Sequence, residues 1–338
     1  MYNKEIEFIN KSLEHTKKAI VSFGCSFTDG QGAIPLEILD NYNYVCPKPG
    51  ILPTINFKND LEKKDFLKKY PEAIINLDGS LNLRMLERKN SFVNILCNDF
   101  FDKSYTPINF GLSGNGNKAS IAQINFFPQI KWNLIEELVI IYVPTDPGRF
   151  SFVNDEYGDN AMFTTIWPHP NTGEPPKSTL WTGYFETIYT DKFAYLEAIN
   201  DICNLKNWAK QFNHKLIVFP AFTDYTKEMF KKSILCEVKR EMGSLKLKSN
   251  IPNTNVFNKD ILLDLIEKNW PWSNMWSPQG KKHWAELLES YEDSSKPLAS
   301  YISAGSPNKW ITPCIHPSAK AHIDLAEKLH THITTEKL

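Results

Sequence analysis

Four short motifs hold the residues whose types and spacing can do chemistry. The first is Val21-Ser22-Phe23-Gly24-Cys25-Ser26-Phe27-Thr28-Asp29-Gly30, an apolar run broken by a glycine and followed by a serine. Such a strand end delivers Ser26 to the carboxyl edge of a sheet, where open α/β sheets place ligands. The same pattern also suits a serine capping a helix. The second motif, Asn109 to Asn117, carries Gly111, Gly114 and Gly116. Its backbone N–H groups can point at an anionic atom, or it makes a tight turn into a helix with Asn117 as N-cap. It is not a Gly-x-x-x-x-Gly-Lys-Ser/Thr phosphate loop, because Ala119 follows Lys118. The third, Val143-Pro144-Thr145-Asp146-Pro147-Gly148-Arg149, is a turn. Its Arg149 either binds a carboxylate or phosphate, or pairs with Asp146. The fourth, Thr312 to Ser318, sets His316 on a rigid approach to the last helix. A serine hydroxyl beside a histidine base is a nucleophile for acyl transfer.

Elements must bring these motifs together. Ala19–Phe23, Pro107–Phe110, Leu138–Val143 and Lys215–Phe219 are short apolar runs that each end at a Gly or Pro turn. Runs of this kind suit strands buried on both faces of a parallel sheet. Phe193, Leu196, Ile199, Ile202, Leu205, Trp208 and Phe212 fall on one face of a helix. Ala321, Leu325, Ala326, Leu329 and Ile333 do the same in a helix from Pro317 to about residue 334. Residues 118–127, 227–247, 260–268 and 281–291 are further helix candidates. Strand–helix alternation of this kind predicts an α/β fold.

Composition narrows the function. The 338 residues carry 38 Lys+Arg and 39 Asp+Glu, a net charge of −1. That balance argues against a nucleic-acid partner held by bulk electrostatics. The longest apolar run, Leu138–Val143, falls far short of the ~20 residues of a spanning helix, so no membrane partner is expected. The charged stretch Met1–Lys18 does not read as a secretory leader. The six cysteines are scattered, which predicts free thiols in a reducing compartment and a cytoplasmic location in a bacterial or phage-infected cell. No His/Cys/carboxylate cluster has metal-ligand spacing, so neither metal nor cofactor is expected. Oligomeric state is not legible.

Taken in order, the motifs resemble the SGNH (GDSL-type) hydrolase superfamily, and in style its bacteriophage-encoded members. The matching islands are Gly24-Cys25-Ser26-Phe27-Thr28-Asp29-Gly30, then Asn109, Gly111, Ser113 and Gly114, then Thr145-Asp146, then His316-Pro317. The resemblance implies one domain over residues 1–338. Its fold would be three-layer α/β/α, flavodoxin-like, with a mostly parallel five-stranded sheet. Long insertions are expected at about 28–89, 150–191 and 223–312, crowding the edge that holds Ser26. It also implies a serine hydrolase of carboxylic esters, O-acetyl groups of a glycan among them. Ser26 would be the nucleophile and His316 the base. The N–H groups of Ser26 and Gly114 would bind the oxyanion, with Thr145 where the family places a donor Asn, and with Asn115 and Arg149 beside the substrate.

Three positions depart from the family pattern. Cys25 stands for an Asp, Thr145 for the donor Asn, and Pro313 for the triad acid three residues before His316. Loss of the orienting acid costs a serine protease about 10⁴-fold. A backbone carbonyl, or a distant acid such as Asp224 or Asp146, can replace it. Alternatively the chain is a catalytically impaired glycan-binding or viral-particle protein on the same fold. Aromatic residues make up 13% of the chain. Many gather in the insertions, as with Trp167, Trp181, Trp270, Trp272, Trp276 and Trp284. They either pin loops to the core or stack on sugars.

Overall fold

The computed structural model describes residues 2–45, 54–75, 81–112, 114–123, 130–146, 149–154, 162–166, 191–221 and 316–335. Four parallel strands form the main sheet among these residues, where five were expected: β1 (Lys18–Gly24), β6 (Thr106–Asn109), β7 (Glu137–Val143) and β10 (Lys215–Val218). Their spatial order is β10-β7-β1-β6. The chain therefore starts at β1, steps to one side for β6, and returns to the other side for β7 and β10. This is the strand order of doubly wound α/β folds, and it opens a crevice at the carboxyl ends of β1 and β7.

The apolar runs are strands because both of their faces are covered. On one face Ile20, Val139, Ile141 and Ile217 pack against α6 (Phe92–Ile95) and α9 (Ala319–Thr335). On the other, Ala19, Val21, Phe23, Ile140 and Tyr142 pack against α1 (Tyr2–Leu13) and α8 (Asp191–Gln211). The period-two alternation of a strand sends successive side chains to opposite cores. Of the helical stripes read from sequence, Ile202 and Leu205 on α8 and Leu325 and Leu329 on α9 are buried, whereas Phe212 lies just past the end of α8 and is exposed. The start of the chain, expected only to lack a leader, is α1, with Ile6 and Leu13 buried.

The first insertion holds more regular structure than its turn-rich sequence suggests. Residues 28–89 include α3 (Leu36–Asn41), a β2–β3 pair (Asn43–Val45 with Thr54–Asn56), α4 (Asp60–Lys69), a β4–β5 pair (Ile74–Ile75 with Leu81–Asn82) and α5 (Arg84–Lys89). Ile34, Ile38, Phe66, Leu83 and Leu86 give this segment a small core of its own. The second insertion opens with an antiparallel pair, β8 (Phe150–Asn154) and β9 (Met162–Ile166). The helix expected over 118–127 is α7, Asn117–Ala122, within the described residues. The helix candidates at 227–247, 260–268 and 281–291, and Trp167, Trp181, Trp270, Trp272, Trp276 and Trp284, lie outside the described residues.

Candidate active site

Two of the four motifs meet at the carboxyl edge of β1. His316 Nε2 lies 3.0 Å from Ser26 Oγ, although 290 residues separate them. Ser26 is buried and is the first residue of a one-turn helix, α2 (Ser26–Asp29), whose N-cap position is held by Cys25. The capping reading of Ser26 is thus replaced by a side chain directed at His316. The amide of Ser26 lies in the first helical turn, where N–H groups have no helical acceptor. The imidazole of His316 meets Phe27 edge-on, with centroids 5.7 Å apart. Three residues later α9 begins, with Ser318 Oγ accepting from Ala321 N–H.

Close backbone approach holds α2 in place. A Cβ on Gly24 would lie 2.1 Å from Thr28 Oγ1 and 2.8 Å from Val143 O. A Cβ on Gly111 would lie 2.3 Å from Asp29 N and 2.7 Å from Thr28 C. Both glycines are required because another chain segment occupies the space of a side chain. Asn109 joins the same parts: its Nδ2 donates to Thr28 O (3.0 Å) and Ser91 Oγ (3.2 Å), and its Oδ1 accepts from Gly111 N–H (2.8 Å). The far end of α2 is tied by charge. Asp29, fully buried, pairs with Arg84, and with Arg88 Nε at 3.0 Å, both on α5. Neighbouring Glu87 accepts from Gly32 N–H at 3.0 Å, and burial raises its carboxyl above the usual range.

The loops after β6 and β7 lie beside Ser26 through the sheet register. Gly24 pairs with Val143, so Ser26 and Thr145 each stand two residues beyond a paired position. Leu112 N–H donates to Gly24 O at 3.1 Å, which continues the β1–β6 ladder toward Gly114. Gly114 has φ 77°, is exposed, and faces open space. Ser113 lies outside the described residues. Asn115, by contrast, is turned inward: its Nδ2 donates to Ser120 Oγ at 3.0 Å. Its carbonyl accepts from Arg149 Nη1 at 3.3 Å, while Arg149 N–H closes the turn onto Asp146 O at 3.1 Å.

Four residues absent from the sequence reading, or given another part there, shape this edge. Asn117 was expected to cap α7; Gly116 holds that position. The Asn117 carboxamide instead accepts from Thr145 N–H at 2.7 Å and donates to Thr145 O at 3.1 Å. Arg84 and Arg88, which no motif singled out, hold the buried Asp29 carboxylate. His322 is fully buried behind His316, and its Nδ1 accepts from Phe92 N–H at 3.1 Å. Burial, and then the neighbouring His316, push its pKa down to about 3. Spacing hints at His322 alone, which shares the α9 stripe with Leu325 and Leu329. Pro313 and Asp224 lie outside the described residues, and Asp146 is part of the turn after β7. Among the described residues no group of His, Cys, Asp or Glu has the makings of a metal site, and no helix is long and apolar enough to cross a membrane.

No family model matches the sequence, and no curated protein matches it. Among solved structures, the chain is similar to a catalytic mutant of Axe2, an acetylxylan esterase from Geobacillus stearothermophilus. That match covers 95% of this chain and 96% of the other, at 12% identity and a TM-score of 0.36. A likeness of that degree carries neither chemistry nor substrate across.

Proposed function

We propose that this chain is a serine hydrolase of the SGNH type that cleaves carboxylic esters through Ser26 and His316. The observation that carries the reading is the 3.0 Å approach of His316 Nε2 to Ser26 Oγ at the edge of a parallel sheet. In this mechanism Ser26 Oγ attacks the ester carbonyl and His316 Nε2 takes the hydroxyl proton. The N–H groups of Ser26 and Gly114 hold the negative charge of the tetrahedral intermediate. Each such donor is worth about 3 kcal/mol in the transition state. His316 then hands the proton to the departing alkoxide, leaving an acyl-Ser26 ester. Water, deprotonated by His316, releases the acid. The full five-stranded, three-layer arrangement belongs to this proposal, as do the O-acetyl groups of a glycan as substrate.

Turnover of p-nitrophenyl acetate by the wild-type chain, with labelling of Ser26 by a fluorophosphonate, is the expected result. Ser26→Ala and His316→Ala are expected to lower turnover by at least about 10³-fold. Equal rates in all three proteins would remove the reading. Pro313, where the family has its acid, favours a second reading: a glycan-binding or structural protein that keeps the fold without the turnover. Glycan binding with no labelling of Ser26 is the outcome that reading expects.

A further inference from the structure

The helix that opens with Ser26 is a single turn, and a single turn fixes several dihedrals for few hydrogen bonds, so it does not hold its own shape. Asp29 N–H donates to Cys25 O at 3.0 Å, and the N–H groups of Gly30 and Gln31 both donate to Ser26 O, at 3.2 and 3.0 Å. The main chain of the serine is thus tied to residues 29–31. Those residues are tied in turn to α5. Each oxygen of the buried Asp29 carboxylate has its own arginine: Oδ1 accepts from Arg88 Nε at 3.0 Å, and Oδ2 pairs with Arg84 Nη2. Gly32 N–H donates to Glu87 Oε1 at 3.0 Å. A Cβ on Gly30 would lie 2.8 Å from Glu87 O and 2.8 Å from Ser91 Cβ, so the end of α5 also touches this turn through its backbone. Arg84, Glu87 and Arg88 stand three and four residues apart, on one face of α5. Leu83 and Leu86 belong instead to the core of the insertion, with Phe66.

We propose that Asp29, Arg84 and Arg88 are positioning residues: through them the first insertion sets Ser26 for attack. A guanidinium fixes the direction as well as the distance of a carboxylate, and two of them, one on each oxygen, leave Asp29 a single place to sit. Asp29 is fully buried, so it acts through the main chain of α2 and not by touching a substrate. One face of α5 is anchored in the insertion core and the other grips α2, which makes this helix the link between the two. The proposal rests on the ester-hydrolase reading above and adds to it what holds the nucleophile. It gives residues 28–89 a part in the chemistry as a support of the serine.

Asp29→Asn tests it, because the change keeps the size, removes the charge, and leaves two partly exposed arginines that water can reach. The wild type, Asp29→Asn, Arg88→Gln and Phe66→Leu are compared at a temperature where circular dichroism shows each folded. The readouts are kcat and KM on p-nitrophenyl acetate, and the rate at which a fluorophosphonate labels Ser26. Misplacing a reacting group by about 1 Å costs on the order of 10²-fold. Asp29→Asn and Arg88→Gln are therefore expected to lower kcat and the labelling rate by about 10-fold or more, with KM within about twofold. Phe66→Leu loosens the insertion core without touching α2. It is expected to lower the urea midpoint and to keep both rates within about twofold of the wild type. Should Asp29→Asn fail to fold, Arg88→Gln carries the test, since Arg84 still pairs with the carboxylate. Unchanged kcat and labelling in the clamp variants beside an active wild type, or an equal loss in Phe66→Leu, would overturn this proposal alone. An inactive wild type with Ser26 unlabelled would overturn the hydrolase reading and this proposal with it.

Discussion

At the residue scale, the site depends on positions where there is no room. Gly111 and Gly114 share a loop but are glycine for different reasons. A methyl group on Gly111 meets the backbone of Thr28 and Asp29, which cannot rotate away. Gly111→Ala is therefore expected to cost about 3 kcal/mol, as overpacking against fixed atoms does. A methyl group on Gly114 meets nothing within 4 Å, and only its φ of 77° resists substitution. Gly114→Ala is expected to cost about 1 kcal/mol. Urea unfolding of the two variants measures both, and equal losses would contradict the packing account. Asn109 and Asn117 differ in the same way from what their motif suggests. Each is an amide in a Gly-rich turn, yet one holds the nucleophile's helix and the other holds Thr145.

At the element scale, α9 does two things: it closes one face of the sheet and carries His316 on its approach. Leu329 on α9 is fully buried, so Leu329→Ala is expected to destabilise by about 3 kcal/mol. His322, one turn into α9, titrates with folding. In the folded chain burial holds its pKa down at about 3, against 6.5 for an ordinary histidine. Between those values the unfolded chain binds a proton that the folded chain does not, so stability holds above about pH 6.5 and falls as the pH drops toward 3. Replacing His322 by Gln is expected to flatten the loss of stability between pH 7 and pH 4.5, measured as the urea midpoint. An unchanged slope would show that other groups govern it. At the opposite end of the sheet, burial raises the Glu137 carboxyl, but hydrogen bonds from Lys18, Tyr105 and Lys215 outweigh it and bring the pKa down to about 2. That contribution is present above about pH 4.5 and is lost only as the pH falls toward 2, so the two windows separate in an acid titration.

At the scale of the whole molecule, the described residues hold two kinds of packing. The main sheet is clad on both faces by helices, whereas residues 34–86 gather a smaller cluster around Phe66. Native-state hydrogen exchange is expected to show amides of β1 and β7 opening only with global unfolding, and amides of α4 opening at lower free energy. A single opening energy for both would mean that the insertion is as firmly integrated as the sheet. The strands β1 and β7 and the helices α8 and α9 were legible from local pattern alone, because burial on one or both faces imposes a period on nearby residues. Ser26 and His316 were legible as candidates, because a serine after a broken strand and a histidine before a helix are local signals. The small elements of residues 28–89 were not, since runs of two to six residues carry too few turns or alternations to show a period. Nor were the partners of Asp29, Asn117 and His322. Which polar groups meet is decided by strand order and register, which bring Gly24 beside Val143 and residue 316 beside residue 26. The sequence by itself marked the apolar runs of the main strands and helices, and Ser26 and His316 as candidates to react. Only the tertiary structure decided that Ser26 and His316 lie 3.0 Å apart and that Asn117 grips Thr145, because such pairings depend on contacts between segments far apart in the chain.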